Sequence, residues 1–173
     1  PAAIARRFAA IGALLTALAL AGAAVAAGPK LLPAEQAFRL SARALDATTL
    51  EIRFDVADGY YLYRDKLKFA VEPATAGAGV PVLPPGKVIE DEFFGRVATY
   101  RGPVVIRLPL AAGQPGGSVS LEVDSQGCAD AGVCYPPHHQ RLVLPLPPAG
   151  AAPSAPFAAS PSKKPSFTGA GKG

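Results

Sequence analysis

Cys128 and Cys134 are the only cysteines in the chain, six positions apart in Gly127-Cys128-Ala129-Asp130-Ala131-Gly132-Val133-Cys134. Two thiols at that separation can form a disulfide and can also exchange it. As a staple the bridge would do little. In chain-entropy terms so short a loop contributes roughly 2.4 kcal/mol, against about 4.7 for a loop of ~100 residues. The spacing therefore points to dithiol chemistry, in which a partner's thiolate attacks one sulfur of the bridge. A structural disulfide pinning a hairpin is the alternative, since secreted domains use many such bridges.

Other chemistries find less support. His138-His139 beside two cysteines supplies zinc or copper ligand types, but neighbours on a strand point to opposite faces. The chain has no methionine to offer the thioether that selects Cu(I). No Gly-x-Ser-x-Gly elbow marks a serine hydrolase. The sequence pI near 9.3 belongs to the ends of the chain. Residues 31–148 carry 11 basic and all 13 acidic side chains, which gives no concentrated basic footprint for nucleic acid. No bound cofactor or metal is expected.

The elements that must hold the cysteines read as strands. Leu50, Ile52, Phe54 and Val56 alternate with polar residues, as do Val119, Leu121 and Val123; Leu67, Phe69 and Val71 recur at the same spacing beside Lys66, Lys68 and Glu72, and Leu142, Leu144 and Leu146 repeat it near the end. Period two means one face buried and one wet. Turn signals such as Asp58-Gly59 and Pro84-Pro85-Gly86 separate the runs, and no segment of this region sustains a helical period. An all-β, immunoglobulin-like antiparallel sandwich follows. On a strand Tyr61 and Tyr63 share a face and Tyr60 takes the other. Glu90-Asp91-Glu92-Phe93-Phe94-Gly95 reads instead as a loop presenting an exposed aromatic.

The flanks differ in kind. Arg6-Arg7, an uncharged run from Phe8 to Ala27 and the closing Ala24-Val25-Ala26 describe a secretory signal peptide over 1–27, which implies export. Residues 149–173 are mostly Pro, Ala, Ser, Gly and Lys and read as a flexible tail or linker. Residues 31–148 remain as one domain.

Three segments carry a resemblance: Asp58-Gly59-Tyr60-Tyr61-Leu62-Tyr63-Arg64, Glu90-Asp91-Glu92-Phe93-Phe94-Gly95 and Gln126 to Pro137. In order and spacing they are similar to the N-terminal periplasmic domain of the thiol:disulfide interchange protein DsbD. The resemblance implies an immunoglobulin-like domain whose cysteine pair, on a short hairpin loop, takes electrons from a C-terminal thioredoxin-like domain. It passes them to thioredoxin-fold acceptors, a DsbC-like disulfide isomerase and a cytochrome c maturation protein. It also implies that Cys134 forms the mixed disulfide and Cys128 resolves it. Phe93 resembles the tip of a cap loop over the cysteines, and Asp91, Glu92, Tyr61 and Tyr63 match residues around the pair. Phe94 stands where the family's commonest cap has a tyrosine. The full protein of that family continues into a membrane domain, so a link beyond residue 173 is expected unless the domain is free-standing. A non-catalytic secreted sandwich that binds a partner through its aromatic cap, with a structural disulfide, is the second reading.

Overall fold

A computed structural model describes residues 30–153 and 157–159; the expected signal peptide lies outside the described residues. Among the described residues twelve strands, all paired antiparallel, form three sheets. The first orders β12 (Ala158–Ala159), β1 (Phe38–Asp46), β2 (Thr49–Val56) and β7 (Pro103–Pro109). The second orders β11 (His138–Pro145), β8 (Ser118–Ser125) and β4 (Lys68–Glu72). The third, which carries the cysteines, orders β10 (Val133–Cys134), β9 (Gly127–Ala129), β3 (Tyr60–Tyr63), β6 (Gly95–Tyr100) and β5 (Lys87–Asp91).

Alternation determines the sandwich. Leu50, Ile52 and Phe54 face the same side of β2 and stand opposite Leu108, Ile106 and Val104 of β7. Leu121 stands between Leu142 of β11 and Val71 of β4. These side chains from the first two sheets merge into one apolar core. Because side chains repeat every second residue, a one-residue slip of any of these strands would turn its apolar set outward. The immunoglobulin-like antiparallel sandwich expected from the pattern is the architecture observed.

Three details depart from the sequence reading. A single helical turn, α1 (Ala34–Ala37), precedes β1; four residues are too few to show a 3.6 period. Half of the Glu90-to-Gly95 segment is strand, with Asp91 opposite Gly95, and Glu92, Phe93 and Phe94 form the turn between. Gly95 closes that turn at φ +70°, a conformation that costs glycine nothing. Finally, the tail expected to be flexible over 149–173 contains an ordered piece, because Ala158 and Ala159 pair with Ala42 and Ser41 of β1.

Candidate functional site

Strand β3 positions the site because it is buried on both faces. Tyr60 and Leu62 enter the main core. Tyr61 and Tyr63 face the other way and join Cys128 in a separate buried cluster, packed by Ile89, Val97 and Cys134. The two tyrosine rings meet edge to face at 5.5 Å. The shared face expected for Tyr61 and Tyr63 is thus observed.

The cysteines sit on a hairpin. Cys128 of β9 stands directly opposite Cys134 of β10, with the Cα atoms 4.0 Å apart and the sulfurs joined in a disulfide. Opposite residues on antiparallel strands come this close only in a side-chain-facing pair, so the register itself juxtaposes the thiols. The hairpin is tied down at its base. Gly127 packs so tightly that an added Cβ would lie 2.3 Å from the Tyr61 carbonyl oxygen and 2.7 Å from the Phe38 ring. At its tip the Asp130 amide donates to the Gly59 carbonyl at 2.8 Å, and the Arg101 guanidinium grips the Asp130 carboxylate through two nitrogens at 2.7 and 3.0 Å. The two residues differ in burial: Cys128 is 1% exposed, whereas Cys134 is partly exposed.

Asp91, at the end of β5, organises the turn that follows it and the tyrosines beside Cys128. One carboxylate oxygen accepts the Tyr61 and Tyr63 hydroxyls at 2.8 and 2.9 Å. The other accepts the backbone N–H groups of Phe93 and Phe94, both at 2.9 Å, and so closes the turn from beneath. Burial works to raise this carboxyl, which is 8% exposed, but the four donors outweigh it and hold Asp91 below the ordinary carboxylate range. Burial, reinforced by the Asp91 hydrogen bond, pushes the Tyr61 and Tyr63 hydroxyls up, so both stay protonated donors.

Tyr63 links the carboxylate to the sulfurs, its hydroxyl oxygen lying 3.0 Å from Cys128 Sγ and 3.7 Å from Cys134 Sγ. In the disulfide neither sulfur carries hydrogen, so the hydroxyl is the only donor available, shared between Asp91 and Cys128. After reduction a Cys128 S–H can donate to the same oxygen. Asp91, Tyr63 and Cys128 then form one hydrogen-bonded line.

The cap divides its labour differently from the sequence expectation. Phe94, not Phe93, packs on the site: its ring meets Tyr63 edge to face at 5.0 Å and carries Lys66 Nζ 4.3 Å from its centre on the other side. Phe93, at the tip, is 52% exposed. Glu92 is exposed and reaches across to the cysteine hairpin, with Oε1 3.8 Å from where a Cβ on Gly132 would sit. Asp91 and Glu92, grouped together from sequence, therefore do separate things, one as a buried acceptor and one as a surface charge. Lys66, Arg101 and Gly127 were missed. Only Gly127, next to Cys128, left a sequence signal. His138 and His139 lie on β11, where His139 Nδ1 bonds Asp124 Oδ1 at 2.7 Å. Among the described residues no three His, Cys, Asp or Glu side chains are grouped to hold a metal ion.

Similar proteins share this arrangement's framework. The family described as "Thiol:disulfide interchange protein DsbD, N-terminal" matches residues 28–146. The thiol:disulfide interchange protein DsbD of Ralstonia nicotianae is 46% identical over 154 residues, covering 88% of this chain and 25% of that protein. DsbD 2 of Pseudomonas aeruginosa is 44% identical over 114 residues, 65% of this chain and 18% of that protein. The chain thus spans about a quarter or less of these relatives. Among solved structures, the reduced DsbD N-terminal domain of Neisseria meningitidis superposes with a TM-score of 0.64 at 33% identity, covering 76% of this chain and 96% of that one. A complex between the DsbD N-terminal and PilB N-terminal domains of the same organism gives 0.57 at 37% identity, covering 67% and 88%.

Proposed function

The chain belongs to the family of DsbD N-terminal domains, and from that premise we propose that it is a periplasmic thiol-disulfide relay, a protein-disulfide reductase domain working through Cys128 and Cys134. The observation that carries the reading is the unequal burial of the two cysteines. Cys134 is the less buried of the two residues, so in this reading an incoming thiolate attacks its sulfur and Cys128 is the leaving group.

A donor thiolate attacks Cys134 Sγ and forms a mixed disulfide there. The Cys128–Cys134 bond breaks, and its electron pair goes to Cys128 Sγ. Tyr63, 3.0 Å away, can donate to that thiolate until it takes a proton. The donor's second thiolate then attacks its own mixed-disulfide sulfur and releases Cys134 reduced. Toward an acceptor the order reverses: the Cys134 thiolate attacks the acceptor's disulfide, and Cys128 resolves the product. The negative Asp91 behind Tyr63 disfavours a standing thiolate, which keeps the reduced pair quiet between encounters. The cap of Phe93 and Phe94 screens it from small oxidants.

The donor in this reading is a thioredoxin-like domain of the DsbD C-terminal type. The acceptors are thioredoxin-fold proteins of the DsbC and cytochrome c maturation kinds. The solved Neisseria complex, in which a related domain is joined by a PilB domain, supports docking of a separate protein on a domain of this family. Partner trapping tests the proposal. Cys128→Ser should accumulate a mixed disulfide with a thioredoxin-fold partner and Cys134→Ser should not. Equal trapping by both, or trapping only by Cys134→Ser, would overturn the assignment of Cys134 as the partner-facing sulfur; no trapping by either, with a native bridge that resists mild reductant, would leave a sandwich with a structural disulfide.

A further inference from the structure

β1 pairs with β2 along one side. On its other side lies a sheet edge, with alternate N–H and C=O groups turned outward to pair with any extended segment. In this chain Ser41 is met by Ala159 and Ala42 by Ala158. That antiparallel register places Phe157 opposite Arg43, and the side chains agree with it: the Arg43 guanidinium carbon lies 4.6 Å from the centre of the Phe157 ring. The guanidinium is held in place from the far side by Glu51, whose Oε1 accepts from its Nε and Nη2 at 2.9 and 2.7 Å. The next residue turns to the opposite face. There Ala158 packs against the main core across from the fully buried Ala42, where two small side chains let the strands lie close.

The geometry points to a strand-accepting site on the β1 edge whose occupant is the chain's own Phe157–Ala159, selected by an aromatic opposite Arg43 and a small residue opposite Ala42. Backbone pairing supplies attachment and the two side-chain positions supply selectivity, as in strand addition by extended peptides generally. The segment is a strap. It closes an edge that would otherwise invite foreign strands, and it moves the point at which the following chain leaves the domain from the end of β11 to the β1 edge.

Amide hydrogen exchange on the full chain tests this, with a control inside the same strand. Alternate amides of β1 face β2 and are protected whether or not the strap is docked; the others face the strap. In the parent the strap-facing amides between Leu40 and Arg43, and those of the strap, should be protected to a degree independent of protein concentration. Phe157→Ala removes the stack on Arg43 and should lower that protection by roughly two- to fivefold, the effect of an exposed cation–π contact. Replacing Ala158 and Ala159 together by proline should return the strap-facing amides to open-strand rates. In both variants the β2-facing amides should stay protected, which reports that the domain is folded. Open-strand rates in the parent, or unchanged protection in the double-proline variant, would overturn the inference. So would protection that rises with concentration, since a second copy's tail would then be the occupant. If the double-proline variant does not fold, an unchanged rate in Phe157→Ala decides against it.

Discussion

The two faces of β3 follow different rules. Tyr60 and Leu62 enter a core built from Leu, Ile, Val and Phe, where volume decides what fits. Tyr61 and Tyr63, on the other face, meet a carboxylate and a sulfur within hydrogen-bond distance. On that face the count of donors and acceptors decides. A cavity in the core should cost stability without altering sulfur chemistry. A lost hydroxyl at the site should alter the sulfur chemistry at a smaller cost in stability.

The largest effect is expected on the core face. Phe54→Ala, at a fully buried position, should destabilise by about 3–5 kcal/mol while the folded fraction keeps its exchange rate, seen by combining denaturant unfolding with stopped-flow exchange. A rate that fell along with stability would show that core and site are not separable.

Asp91→Asn comes next. It keeps the shape but loses the charge that accepts four hydrogen bonds, at a cost of about 1.5–3 kcal/mol near neutral pH. The pH dependence has a definite sign. Because the native Asp91 carboxyl lies below its ordinary value, its contribution is fully present above about pH 4 and is lost as pH falls through the native value. The variant should therefore show a shallower acid limb in a plot of stability against pH.

Tyr63→Phe sharpens the contrast further. Removing one hydroxyl should cost about 1 kcal/mol but slow exchange by about two- to tenfold, the kinetic equivalent of one hydrogen bond to the departing Cys128 sulfur. Thermal unfolding and single-turnover exchange measure the two halves.

The smallest stability effect belongs to Phe93→Ala. A half-exposed tip residue should change stability by no more than about 0.5 kcal/mol, while the reduced cysteines alkylate faster. Unchanged alkylation would assign the screening to Phe94 alone, since its ring is the one on Tyr63.

Legibility in the sequence followed the same division. Alternation exposed β2 and β8, because one wet face leaves a polar residue at every second position, and β11 was readable from the spacing of its leucines although Val143 is exposed between Leu142 and Leu144. It hid β7, where the exposed Val105 interrupts the pattern between Val104 and Ile106. Tyr61 and Tyr63 were readable as one face, but their acceptor lies about thirty residues away across another hairpin, and nothing local marks Asp91 as more buried than Glu90 or Glu92. The resemblance named Asp91 without giving its role. Arg101 and Asp130 are likewise joined only by the fold. In the tail, average composition concealed that Phe157 stands in register with Arg43.

Gly127 carries a genetic consequence. Every coding change at this position adds a Cβ, and the first atoms it meets are a backbone carbonyl and a core ring, neither able to swing aside. Neighbours on the same hairpin have room to vary: Ala131 is exposed, and a longer side chain there projects into water. A library of random substitutions across 127–134 should therefore recover many variants at Ala131 and no functional ones at Gly127, a blank column beside the equally intolerant cysteine that follows it. The cause there would be lost space and not lost chemistry.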